Sequence, residues 1–164
     1  MRWPKSLARA RSCTPLPLSP LSTPRARAHR SHTARYIAKD SPCKAAACDK
    51  VAHITGYRGV PGSSESALMG ALVDRPVSVA VEADQAAFQH YRSGVMSAAC
   101  GTKLDHGVLA VGYGAEGGKD FYKIKNSWGG GWGDRGYILL ARGAAFNGGK
   151  GQCGVQMDPS FPVA

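Results

Sequence analysis

His106 and Asn126 are the residues of this chain whose types and placement could do chemistry together. An imidazole exchanges a proton near neutral pH, and a neighbouring amide oxygen can dictate which ring nitrogen carries it. His106 opens an apolar run in which residues 108–113 read as a strand. Asn126 closes a second strand-like run, residues 121–125, where Tyr122, Ile124 and Asn126 share one face by the two-residue period. Between them Gly114-Ala115-Glu116-Gly117-Gly118 is rich in turn residues and suits a hairpin. A hairpin sets the start of its first strand beside the end of its second. His106 and Asn126 therefore meet although 20 positions separate them (126 − 106). The Asn oxygen then fixes the tautomer and leaves the other ring nitrogen to act as base toward a nucleophile. Trp128 follows two residues on, with Trp132 behind it and glycines at 129, 130, 131 and 133. An indole over a His–Asn bond excludes water and strengthens it, and the glycines permit the close turns this needs.

The rest of the chain must hold that pair in place. Residues 51–57 alternate and read as a strand. Ser63 or Ser64 is placed to cap a helix over residues 65–73, whose apolar stripe is Ala67, Leu68, Ala71 and Leu72. Asp74-Arg75-Pro76 ends it, and residues 76–81 are apolar and rich in valine, as a buried strand requires. Residues 84–91 suit a helical turn with Phe88 and Tyr91 inward. Residues 136–141 read as another strand, Ile138 and Leu140 on one face, Tyr137 and Leu139 on the other.

The 164 residues suffice for one domain with a real core, and no apolar run approaches the length of a membrane span. The formal charge of +10 invites a nucleic-acid reading, but its distribution argues against one. Residues 1–39 hold nine Lys or Arg and no acid, whereas residues 40–164 hold twelve Lys or Arg against eleven acids, a balance of only +1 (12 − 11). Residues 1–35 are basic and rich in Pro, Arg and Ser, too poor in apolar side chains to offset ordering entropy, and are expected to be disordered. They lack the continuous apolar region of a secretory signal. Their Arg-rich, acid-free composition is partly that of an organelle transit peptide, and a stretch that is not native is a third reading. Five cysteines, at 13, 43, 48, 100 and 153, leave at least one unpaired within the chain. Cys43 and Cys48 have no second close pair after them, so no zinc-ligand spacing is present.

Leu104-Asp105-His106-Gly107-Val108, Gly112-Tyr113-Gly114, Lys125-Asn126-Ser127-Trp128-Gly129, Trp132-Gly133 and Gly136-Tyr137-Ile138, in this order, resemble the His and Asn segments of the papain-like cysteine peptidases. The resemblance begins near Tyr36 and covers about residues 36–164. It implies an α+β fold, the right-hand domain of that family, with an antiparallel barrel-like sheet and short helices. It implies a catalytic pair of His106 and Asn126 supported by Trp128 and Trp132, with no cofactor and no metal. Peptides or proteins are the implied substrates. Ala80, Leu104, Asp105 and Asp158 are the implied substrate-pocket positions, and the acid at 158 implies acceptance of basic as well as apolar side chains. Asp105 alternates away from His106 and is expected to stay exposed at the cleft edge. The resemblance further implies a Cys100–Cys153 disulfide, an oxidising compartment, and hence a lysosomal, vacuolar or secreted location. Cys43 matches a cysteine whose usual partner lies in the family's preceding domain. A short Cys43–Cys48 bond and two free thiols are both open.

A His–Asn pair is only the base half of such an enzyme. The family's nucleophile sits in a Cys-Gly-Ser-Cys-Trp-like context well ahead of the His, and no such motif occurs here. Cys13 is followed by prolines rather than a helix, and the oxyanion Gln is missing with the nucleophile. The expectation is a fragment inactive on its own. One alternative is one chain of a two-chain enzyme, with the nucleophile-bearing domain supplied in trans. Another is a non-catalytic binding module, a decoy for inhibitors or propeptides. A nucleic-acid or membrane partner is not expected.

Overall fold

Val77, Val79 and Val81 alternate with the exposed Ser78 and the half-buried Ala80, and this alternation builds an interior strand of the sheet. The computed structural model describes residues 54–164. The expectations for residues 1–35, for Cys13, Cys43 and Cys48, and for the family resemblance starting at Tyr36 lie outside them. The strands are β1 (Gly56–Gly59), β2 (Val77–Val81), β3 (Val95–Met96), β4 (His106–Glu116), β5 (Lys119–Lys125), β6 (Tyr137–Ala141) and β7 (Ser160–Val163). They form one sheet in the order β1-β7-β2-β4-β5-β6-β3. Each of its pairings is antiparallel except β3 with β6.

Helix α1 (Glu65–Asp74) packs on one face of this sheet. Ser64 caps it, its hydroxyl oxygen accepting from the Ala67 N–H at 3.3 Å, which satisfies one of the free donors of the first turn. Leu68 and Leu72 are the buried part of the expected stripe. They join Val77, Val79, Val81, Val108, Ala110, Tyr122, Ile124, Ile138 and Leu140 in the core. The short helix α2 (Ala86–Gln89) buries Phe88 completely, and Tyr91 follows it into the core, as the sequence suggests. Three elements differ from expectation. Of the strand expected over residues 51–57, residues 51–53 lie outside the described residues; within them the first strand is residues 56–59, exposed along its length, and Ile54 and Thr55 precede it. Both hairpin strands run further into the glycine-rich segment, so the turn is only Gly117-Gly118, each with positive φ. The pairing of β4 with β5 also shifts register between Ala110 and Gly112. Val111 is thus an extra residue, a bulge.

Arg142 ties α1 to the hairpin. Its guanidinium reaches Glu65 at 2.6 Å and Asp120 at 3.1 Å and lies over the Tyr113 ring. Beneath it the Tyr122 hydroxyl donates to the Glu65 carbonyl at 3.5 Å and accepts from Gln156 Nε2 at 3.3 Å. Burial, reinforced by the Glu65 charge, holds the Tyr122 phenol well above its ordinary 10.0; Arg142 and the Gln156 hydrogen bond oppose the shift. The folded state favours the neutral phenol. Its contribution to stability is therefore complete below about pH 10 and falls at higher pH, where the unfolded chain releases a proton that the folded chain keeps. The expected result is a denaturation midpoint that declines with pH above about 10. Tyr122→Phe should reduce that slope; an unchanged slope would show that other groups set it.

Candidate active site

Three elements position the site. The first is the start of β4, paired with β2 so that His106 lies opposite Val81. The second is the residue after β5, where the Asn126 N–H donates to the Gly136 carbonyl at 2.9 Å. The third is α2 with its flanks. Ala110 and Ile124 are direct partners across the β4–β5 ladder, so their side chains share a face. Two residues at a time, Val108 and His106 extend that face along β4, and Asn126 extends it along β5.

His106 Nε2 and Asn126 Oδ1 are 2.8 Å apart. The same oxygen accepts the Ser127 backbone N–H at 2.7 Å. A backbone N–H can only donate, so this second bond fixes the Asn126 amide with its oxygen toward the ring. His106 Nε2 must then carry a proton, so in the neutral ring the free lone pair is on Nδ1. The pair is thereby set up to withdraw a proton at Nδ1 while Asn126 restrains the ring. Asn126 is 8% exposed, and its Nδ2 finds no partner among the described residues.

Trp128 stacks on the His106 ring with centroids 5.1 Å apart and planes 27° from parallel. Trp132 meets Trp128 edge-on at 5.1 Å rather than touching the imidazole. It stacks on Phe88 at 5.4 Å and donates its indole N–H to the Gln89 carbonyl at 2.9 Å. Phe88 also meets Trp128 edge-on at 5.7 Å. Helix α2 is thus a backstop: it holds Trp132 and Phe88, which hold Trp128 against the ring. Gly136 has φ +90°, and a side chain there would press on the Gly129 carbonyl, so the Trp loop can close only around glycine.

The remaining positions differ in their surroundings. Cys100 and Cys153 are joined in a disulfide. Leu104 lies against the turn that follows Cys153, close enough that a side chain on Gly154 would collide with it and with Met157. Asp158, the next residue, is exposed. Ala80 is half-buried on the face of β2 opposite Val79 and Val81. Asp105 does not stand free at a cleft edge, and that expectation is corrected. It is half-buried, and its two carboxylate oxygens accept the N–H groups of Ala83 at 2.7 Å and Asp84 at 3.3 Å. Those N–H groups lie past the end of β2 and have no ladder to join, so the carboxylate takes the place of a strand. Sequence reasoning also passed over Glu82, a buried acid directly after the valines of β2; a charge ending an otherwise apolar run was the available signal.

Among the described residues no group of three His, Cys, Asp or Glu is arranged to hold a metal ion, and no helix is long and apolar enough to cross a membrane.

Residues 23–163 match the family model described as papain family cysteine protease. The chain is 47% identical over 133 residues to cysteine proteinase RD21A of Arabidopsis thaliana, covering 76% of this chain and 28% of that protein. It is 45% identical over 130 residues to the senescence-specific cysteine protease SAG39 of Oryza sativa subsp. indica, covering 79% of this chain and 38% of that one. Among solved structures, the bromelain protease of Ananas comosus, in complex with an inhibitor, superposes with a TM-score of 0.71 at 43% identity. That match covers 78% of this chain and 59% of the bromelain chain. The chain therefore spans roughly a third of the length of these two curated relatives.

Proposed function

Because the chain belongs to the papain family of cysteine proteases, we propose that it is the base-bearing half of a cysteine peptidase acting on peptide or protein substrates. In this reading His106 is the general base and later the general acid, Asn126 orients it, and Trp128 with Trp132 shields the pair. The observation that carries the reading is the His106–Asn126 hydrogen bond, polarised by the Ser127 N–H. His106 Nδ1 takes the proton of a cysteine thiol, and the thiolate attacks the scissile carbonyl carbon. The resulting imidazolium returns the proton to the leaving amine; water then releases the acyl group, with the imidazole again as base. The thiol and the oxyanion donors come from a nucleophile-bearing half, since the sequence holds no Cys-Gly-Ser-Cys-Trp-like motif.

The 164-residue chain alone should not cleave a fluorogenic peptide. Mixed with the nucleophile-bearing half of a relative such as bromelain, it should gain turnover that disappears on His106→Ala. Turnover by the chain alone, lost on His106→Ala, would overturn the half-enzyme reading. Failure to gain any activity with a partner half that demonstrably binds would favour a non-catalytic binding module.

We further infer that Ala80, Leu104 and Asp158 line a pocket for the substrate residue two before the cut. Asp105 serves the pocket only by holding the backbone of residues 83 and 84. An exposed carboxylate at 158, one residue beyond the turn that Leu104 packs on, suits a basic side chain. In a completed enzyme Asp158→Ala should lower the preference for Arg over Leu at that substrate position about 10-fold; an unchanged preference removes Asp158 from the pocket.

A further inference from the structure

Glu82 sits where three segments of the chain meet, immediately after β2. It is 5% exposed. Its carboxylate accepts the Lys103 backbone N–H at 2.6 Å through one oxygen and Gln85 Nε2 at 2.8 Å through the other. Its own backbone N–H donates to the Cys153 carbonyl at 2.9 Å. The backbone of Gly101 lies so close that a Cβ added there would overlap the carboxylate group. Residues 100–105 are the approach to β4. Three residues after Lys103 comes His106, and on the way the Asp105 N–H donates to the Val81 carbonyl at 3.0 Å, next to Glu82 itself.

A buried anion is costly unless hydrogen bonds replace its hydration, and one from a backbone N–H is short and charge-assisted. If either donor moves away the carboxylate is left buried and short of a partner, so it restrains the segments that carry those donors. The approach strand has few other restraints: the disulfide at Cys100 fixes its beginning and the β2 ladder fixes its end. Between those points the Glu82 carboxylate takes Lys103, and Asp105 is engaged two residues later.

We propose that Glu82 is a positioning residue for His106. Its carboxylate sets the course of residues 101–105, and through them the orientation in which His106 keeps Nε2 on Asn126 and presents Nδ1 outward. A glutamine could keep the Lys103 bond, because its oxygen accepts that N–H while its NH₂ group faces Gln85, whose amide can turn its own oxygen inward; only a side chain without an acceptor releases Lys103.

The inference rests on the reading of His106 as the base, but its test needs no turnover. Two variants of the full 164-residue chain perturb the same junction from opposite sides. Glu82→Met removes both acceptors in a side chain of similar length; Gly101→Ala drives a methyl group into the carboxylate while leaving Glu82 in place. In ¹⁵N-labelled protein, both should lose the His106 Nε2–H resonance to solvent exchange. Amide exchange at Lys103 and Asp105 should rise about 10-fold or more, while Ile124 and Ile138 in the core stay protected. If the His106 resonance persists in either variant, Glu82 does not position the ring. If core and loop amides lose protection together, Glu82 is only a stability residue; either result overturns the proposal. A completed enzyme that fails to turn over would count against His106 as base and leave the resonance result standing.

Discussion

His106→Ala in an enzyme completed by a nucleophile-bearing half is expected to reduce kcat/KM for a peptide substrate by about 10⁴-fold or more, with KM little changed. The imidazole acts only when the proton moves, so its loss falls on kcat rather than on binding. Asn126→Ala should cost less, about 10²- to 10³-fold. The Asn126 oxygen holds the Nε2–H tautomer at 2.8 Å, but Trp128 still covers one face of the ring without it. The two losses should not add, because Asn126 works only through His106. A double variant ten-fold slower than His106→Ala would assign Asn126 a separate role. Retention of most activity by His106→Ala would end the base assignment.

Breaking the disulfide is the second large effect. Cys100 and Cys153 are 53 residues apart, and closing a loop of that length restricts the unfolded chain by about 4 kcal/mol on the chain-entropy model. Domains of this size are stable by only about 5–15 kcal/mol in total. Cys153 is fully buried, so a replacement must also fill its space. Reduction, or Cys100→Ser with Cys153→Ser, should therefore lower the guanidinium midpoint by the equivalent of about 2–5 kcal/mol. A change below about 1 kcal/mol would show that the sheet already restrains both ends, or that the unfolded chain is compact without the bond.

What was legible in the sequence is what local pattern controls. The valines of β2, the capped helix after Ser64, the inward Phe88 and Tyr91, and the His–Asn hairpin each carry their period within a few residues. The elements missed or displaced depend on distant partners. Strand β1 is exposed throughout and has no alternation of its own; it exists because β7 pairs with it. Strand β7 contains Pro162, which usually argues against a strand. It is tolerated because β2 touches β7 only at Ser160, leaving Pro162 no second neighbour to supply. The bulge at Val111 inverts the face after Ala110, so Tyr113 reaches Arg142 where strict alternation would have turned it away. Asp105 and Glu82 were hardest to read, because a buried carboxylate looks like a surface one until the N–H groups around it are in place.

The spacing of the site residues also bears on the order in which the protein can assemble. Across the β4–β5 hairpin the ladder opens at Glu116 with Lys119 and extends to Leu109 with Lys125. Contacts this close in the chain carry a small loop-closure cost, and isolated hairpins form within about 1–10 μs. Pairing Gly56 with Val163 instead joins residues 107 apart (163 − 56), after the intervening strands are laid down. The base pair is therefore among the cheapest tertiary contacts in the molecule to nucleate, whereas the outer strands are the costliest.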